Sequence, residues 1–108
     1  MDFNEYSIKS GKVLLYPKAI APLYLALGVN GEAGEVGEKV KKVYRDKEGI
    51  FSSQSTEEIK KEIGDVLWYL NRLSVELGFT LEEAAILNLL KIEDRINREV
   101  VQSEGDNR

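Results

Sequence analysis

Two stretches of this chain open in the same way, and that shared opening restricts the fold more than any other feature. Ser55-Thr56-Glu57-Glu58 and Thr80-Leu81-Glu82-Glu83 each set a hydroxyl residue three positions before a glutamate, directly ahead of apolar residues at helical spacing. In such a capping box the hydroxyl accepts a backbone N–H of the first turn and the glutamate returns the favour to the cap. Ser55 is therefore expected to cap a helix that reaches Leu77 and stops at Gly78, and Thr80 a last helix ending at about Glu99 or Val101. A further long helix is expected from about Lys18–Leu23 to about Tyr44, with Pro17 and Pro22 near its start, where a missing N–H costs little. Asp2, with Glu5 three residues on, suits the cap of a short N-terminal helix that Gly11 ends. Asp46 to Gln54 reads as a loop. The strand signal is confined to Val13-Leu14-Leu15-Tyr16, too short to found a sheet. The expected fold class is all-α: a helical bundle of three long helices plus a short N-terminal helix, in one domain over residues 1–101. Residues 102–108 hold no apolar side chain and are expected to form a polar tail.

What such a bundle can do is limited by two absences. The 108 residues contain no His and no Cys. Disulfides, thiolate nucleophiles, imidazole bases and His or Cys metal sites are thereby excluded. A metal bound here would have oxygen ligands, which favours a hard cation. The net charge of −4 argues against a nucleic-acid duplex as partner. No apolar run approaches the roughly 20 residues that span a bilayer, and the N-terminus lacks the basic and apolar regions of a signal peptide, so a cytoplasmic protein without membrane attachment is expected. A chain this small buries a modest share of its surface, which makes association reasonable.

The acids are placed unusually. The stripe Leu25, Val29, Val36, Val40 and Val43 includes Glu32, and Glu35 lies three residues further on. The stripe Ile59, Ile63, Val66, Leu70, Leu73 and Leu77 carries Glu62 and Asp65 on its edge at the same spacing. If the two helices pack antiparallel, four carboxylates meet. Glu35 and Glu38 have Lys39 and Lys42 at i+4, whereas Glu32, Glu62 and Asp65 have Val36, Val66 and Tyr69 there and so lack a helical counter-charge. Two readings are open at this point: a solvated acidic face on an interaction module, or a divalent-cation site that offsets the repulsion. A carboxylate-bridged di-iron bundle is disfavoured by the missing His. Gly28, Gly31, Gly34 and Gly37 crowd one helix at about 0.5–1 kcal/mol each, which calls for close helix packing, for room beside the acids, or for both.

Glu32-x-x-Glu35, then 26 residues, then Glu62-x-x-Asp65 resembles the signature of the all-α nucleoside triphosphate pyrophosphohydrolases, above all the MazG-like proteins, with dimeric dUTPases and dCTP pyrophosphatases as related branches. The likeness runs from about Tyr24 to Arg95. The family pattern often has a further Glu just before the first motif glutamate, where this chain has Gly31. The resemblance implies Mg²⁺-dependent cleavage of a (deoxy)nucleoside triphosphate between its α- and β-phosphates, with Mn²⁺ as a possible substitute, in a homodimer or homotetramer. Carried onto this sequence, Glu32, Glu35, Glu62 and Asp65 would hold metal, and Glu35 or Glu38 would serve as base. Lys39, Lys42, Lys91 and Arg95 would cradle phosphates, with Asn88 and Tyr69 beside the nucleoside. Trp68 is expected in the core. Hydrolysis of another diphosphate-containing nucleotide, such as an alarmone, would suit the same cage.

Overall fold

The helices start and stop at hydrogen bonds made by short polar side chains. The computed structural model describes residues 1–12 and 15–104, with side chains to residue 100. Its order is α1 (Phe3–Ser10), a 3₁₀ turn (Lys18–Ile20), α2 (Ala21–Lys47), α3 (Ser53–Glu76) and α4 (Leu81–Glu104). Among the described residues there is no strand. Of the strand candidate, Val13 and Leu14 lie outside the described residues. Asp2 Oδ1 accepts the Glu5 N–H at 2.8 Å and caps α1. Thr80 Oγ1 accepts the Glu83 N–H at 3.1 Å, and Glu83 Oε2 accepts the Thr80 N–H at 3.4 Å, completing the expected box at α4.

The cap of α3 corrects the expectation. Ser52, not Ser55, is the cap: its Oγ accepts the Ser55 N–H at 3.0 Å, while Ser55 Oγ accepts the Ser52 N–H at 2.9 Å. A serine at the third helical position replaces the usual glutamate, so the helix starts earlier than the Ser55 box implies. The end of α2 also runs past Tyr44, to Lys47. There Glu48 (φ 55°) and Gly49 (φ 77°) take left-handed conformations, and the Gly49 N–H reaches back to Val43 O at 3.1 Å. The last helix continues through residues 102–104 of the expected tail; residues 105–108 lie outside the described residues.

Packing centres on α2 against α3. Leu25 is fully buried, and Ala21 and Tyr16 join it, with Trp68, Tyr69 and Leu73 packed around them. Trp68 thus belongs to the core, as its spacing suggests. Its indole N–H donates to Ser10 O at 3.2 Å, and its ring meets Tyr16 and Tyr69 edge-on, with centroids 6.3 and 5.1 Å away. The Tyr16 hydroxyl donates to Glu76 Oε1 at 2.6 Å and Lys18 Nζ lies 3.1 Å from the same oxygen, which ties the start of α2 to the end of α3. These two bonds, the Tyr16 one foremost, hold the Glu76 carboxyl below its ordinary range.

One contact fixes the register. A Cβ placed on Gly28 would lie 2.2 Å from Tyr69 Cε1, so only glycine admits the ring there. At Gly31, Gly34, Gly37 and Gly64 a Cβ would meet nothing within 4 Å. Close packing therefore explains Gly28 and leaves the others facing open room. Replacing Gly28 by Ala should cost about 1–3 kcal/mol through overpacking. Gly31→Ala should instead stabilise by up to about 1 kcal/mol through helix propensity. Urea denaturation of the two variants reads these opposite signs; equal effects would contradict the register contact.

Candidate metal centre

From Gly28 opposite Tyr69, a one-turn step along α2 meets a one-turn step back along α3. The step places Glu32 by Asp65. Further on, Lys39 and Lys42 line one cavity with Ser55 and Glu58, as antiparallel helices require. The result is a convergence of Glu32, Glu62 and Asp65, each with a carboxylate oxygen within 4.8 Å of the others. Glu32 and Glu62 are half-buried and Asp65 is exposed. Among the described residues no lysine or arginine forms an ion pair with any of the three. Withdrawal from water raises the Glu32 carboxyl above its ordinary range, and the charges of Asp65, Glu62 and Glu35 add to the rise. An all-oxygen set with surplus negative charge suits a hard divalent cation.

The other expected residues are distributed unevenly. Glu35 is exposed and stands outside the convergent trio, yet near enough for its charge to act on Glu32. Glu38 pairs with Lys41 at 3.4 Å rather than with Lys42. Lys39 and Lys42, together with Lys47, line a cavity of about 130 Å³ between the end of α2 and the start of α3. Tyr69 flanks the acids. Burial first, then the charges of Tyr24, Glu32 and Asp65, push its phenol above the ordinary range. Asn88, Lys91 and Arg95 line a groove of about 500 Å³ on α4 with Ile92, Asp94 and Arg98. From Ala85 to Val100 that helix is exposed throughout, and none of the acid trio lines its groove.

Sequence reasoning missed Tyr6. It stands half-buried on α1, and its phenol is raised first by burial and then by the charge of Asp65. No motif marks it, because α1 precedes the paired acids and meets them only through tertiary docking.

Comparison with known proteins gives these acids a context. Residues 21–100 match the MazG nucleotide pyrophosphohydrolase domain, a span that includes every one of the motif acids. The chain belongs to the MazG family. It is also 38% identical, over 114 aligned positions spanning the whole of both proteins, to the Gene 37 protein of Mycobacterium phage L5. No solved structure matches it. MazG membership assigns nucleotide pyrophosphohydrolase activity in general terms, and the acid trio of this MazG chain is compatible with the metal dependence typical of the family. Among the described residues no helix is long and apolar enough to cross a membrane.

The raised Glu32 carboxyl has a consequence for stability. The fold favours its protonated form, so this contribution is complete below the unfolded carboxyl value and is lost as pH rises through the higher folded value. Without divalent cation, the melting temperature of the wild type should fall relative to Glu32→Gln as pH rises through and above the ordinary carboxylate range. Added Mg²⁺ should restore the wild type at neutral pH. A difference between the two proteins that is constant with pH would contradict the repulsion.

Proposed function

We propose that this chain is a Mg²⁺-dependent pyrophosphohydrolase of (deoxy)nucleoside triphosphates, cleaving between the α- and β-phosphates to give a nucleoside monophosphate and pyrophosphate. Such an activity suits control or cleansing of the nucleotide pool in the cytoplasm. The observation that carries the reading is the convergence of Glu32, Glu62 and Asp65 without a paired cation, in a chain of this family. These three would hold the ion, with Glu35 as the fourth carboxylate; Mn²⁺ would serve in its place. A bound divalent cation supplies charge neutralisation for the triphosphate and acidifies a water.

The chain's own residues account for the rest. Glu35, exposed and one turn from Glu32, takes the proton of the attacking water. Glu38 is the weaker base candidate, because Lys41 already engages its carboxylate. The new bond forms between water oxygen and α-phosphorus, and the bond to the bridging oxygen breaks toward pyrophosphate. Lys39 and Lys42 stand one to two turns beyond the acids, where they can neutralise the departing phosphates. Tyr69 forms the wall on the nucleoside side.

Asn88, Lys91 and Arg95 enter from a second copy. Two features support this: α4 exposes Ile86, Leu89, Leu90, Ile92 and Ile96, and none of the acid trio lines its basic groove. A homodimer, or a homotetramer built from dimers, would cover the apolar side and deliver the cations.

Glu62→Gln and Asp65→Asn should each lower Mg²⁺-dependent pyrophosphate release by about a thousandfold or more, since several kcal/mol of transition-state stabilisation is lost. Circular dichroism should remain helical. Full activity in both variants, or orthophosphate as first product, would sink the proposal. Mixing Glu62→Gln protein with a Lys91→Ala/Arg95→Ala variant tests the second copy. Each is expected to be inactive alone, and subunit exchange should restore activity, because one mixed site regains both intact halves. No recovery after proven exchange would place the α4 cations outside the shared site.

A further inference from the structure

α4 has two sides of different chemistry. Ile86, Leu89, Leu90, Ile96 and Val100 share one side at helical spacing, and all are exposed. Ala84, Leu87, Asn88, Lys91, Arg95 and Arg98 fall within about 60° of a single line on the other side. Two hollows follow that line. The first, of about 410 Å³, is walled by Ala84 and Leu87 and by Phe79 from the turn between α3 and α4, with Glu83 as its acid. The second is the groove of about 500 Å³ that holds Lys91, Arg95 and Arg98. Asn88 and Lys91 line both, so the hollows adjoin and form one trough, about 21 Å long from Ala84 to Arg98. Its charge is graded along α4. Asp94 in the second hollow is taken up by Arg98 at 3.0 Å, while Lys91 and Arg95 form no ion pair among the described residues.

We propose that this trough seats the nucleotide on α4, with Phe79, Ala84 and Leu87 holding the nucleoside and Lys91 and Arg95 the phosphate chain, and that Phe79 governs base selection. The inference rests on the nucleotide reading above and adds a nucleoside subsite to it. A flat apolar ring, joined through a polar sugar to an anionic tail, matches the trough from end to end. An inorganic phosphate would leave the apolar hollow unused, and a purely apolar ligand would leave two unpaired cations beside it. Asn88, at the junction, both donates and accepts hydrogen bonds, as a sugar or a base edge requires. The Glu83 carboxylate repels phosphate from the Phe79 end and so sets the direction of the ligand. The Phe79 ring is 38% exposed and offers a base an aromatic surface for stacking. A second copy laid on Leu89, Leu90 and Ile96 covers the opposite side of α4 and leaves this one open. Phe79 touches no reacting atom; it is a specificity residue.

Calorimetry on the full-length protein in EDTA compares the common deoxynucleoside triphosphates with inorganic triphosphate. At least one nucleotide should bind about tenfold or more tightly than inorganic triphosphate. Phe79→Leu, which keeps an apolar side chain and removes the ring, should erase most of that preference, and so should Leu87→Asn. Leu87 is largely exposed, so its variant keeps the test open if Phe79→Leu loses stability. With Mg²⁺ each variant should raise the nucleotide KM about tenfold at unchanged kcat and unchanged Mg²⁺ half-saturation. Sedimentation should match the wild type. Wild-type KM values in both variants overturn the trough, while Mg²⁺-dependent pyrophosphate release by the same proteins still upholds the metal reading. A wild type that binds inorganic triphosphate as tightly as every nucleotide overturns the trough in the same way. A raised KM accompanied by a smaller assembly makes these residues an interface between copies and also overturns it. A wild type that neither binds nor hydrolyses any of the nucleotides overturns the trough together with the nucleotide reading.

Discussion

The Tyr69 ring occupies the space that any side chain at residue 28 would need, and this contact sets the position of α2 along α3. Two antiparallel amphipathic helices with long apolar stripes could slide by one turn and still bury leucines and valines. A ring wedged on a glycine resists a slide toward the start of α2, where Tyr24 and Leu25 carry large side chains one turn away. Trp68 braces the ring edge-on from one side, and Tyr16, tied to Glu76, braces Trp68 in turn. The acid trio lies one turn from this wedge. Its geometry follows from the packing, since mutual repulsion would otherwise drive the carboxylates apart.

The pairing leaves an unbalanced site, and the imbalance is informative. Elsewhere on the chain several acids find cations at helical spacing or next door: Glu5 with Lys9, Glu57 with Lys60, Asp94 with Arg98. Glu32, Glu62 and Asp65 do not, although Lys60 and Lys61 are close to Glu62 in sequence. What sets these three apart is that they converge, bare of counter-charge, where only oxygen ligands are on offer. Gly31, Gly34, Gly37 and Gly64 keep the flanking helix surfaces low. Four residues of poor helix propensity are tolerable because α2 and α3 are long, capped and paired.

Much of this was legible in the sequence, and the limits have physical causes. The box at Thr80, the cap at Asp2 and the stop at Gly78 rest on local spacing, and each is where spacing puts it, whereas of the four acids expected to meet only Glu32, Glu62 and Asp65 converge. The cap of α3 was misread because Ser55-x-x-Glu58 and Ser52-x-x-Ser55 overlap; either forms a reciprocal box, and the longer helix wins by adding hydrogen bonds. The extension of α2 to Lys47 depends on Glu48 entering a left-handed conformation, an event propensity does not favour for a non-glycine residue. The burial of Asn71, Arg72 and Ser74 on a helix whose Ile63 and Leu70 are exposed contradicts simple patterning. For Asn71 and Arg72 it arises because α1 covers them, a long-range docking that periodicity within either helix does not encode. Tyr6 was invisible for the same reason.

The extended shape completes the argument. A compact chain near this length has a radius of gyration of about 13 Å, and this one has 18.3 Å. The excess comes from α4, which touches only α1 and α3 and then runs exposed. A helix that leaves Ile86, Leu89, Leu90, Ile92 and Ile96 exposed has an uncovered apolar side, which suits the second copy proposed above. The same helix bears Lys91, Arg95 and Arg98, while the paired acids on α2 and α3 carry the opposite charge. A second copy that covers the apolar side would bring cations and anions to opposite ends of one phosphate chain. In that arrangement the two charge sets lie on different elements, and Lys91 and Arg95 form no ion pair with the acid trio of their own chain among the described residues, while Arg98 is engaged by Asp94.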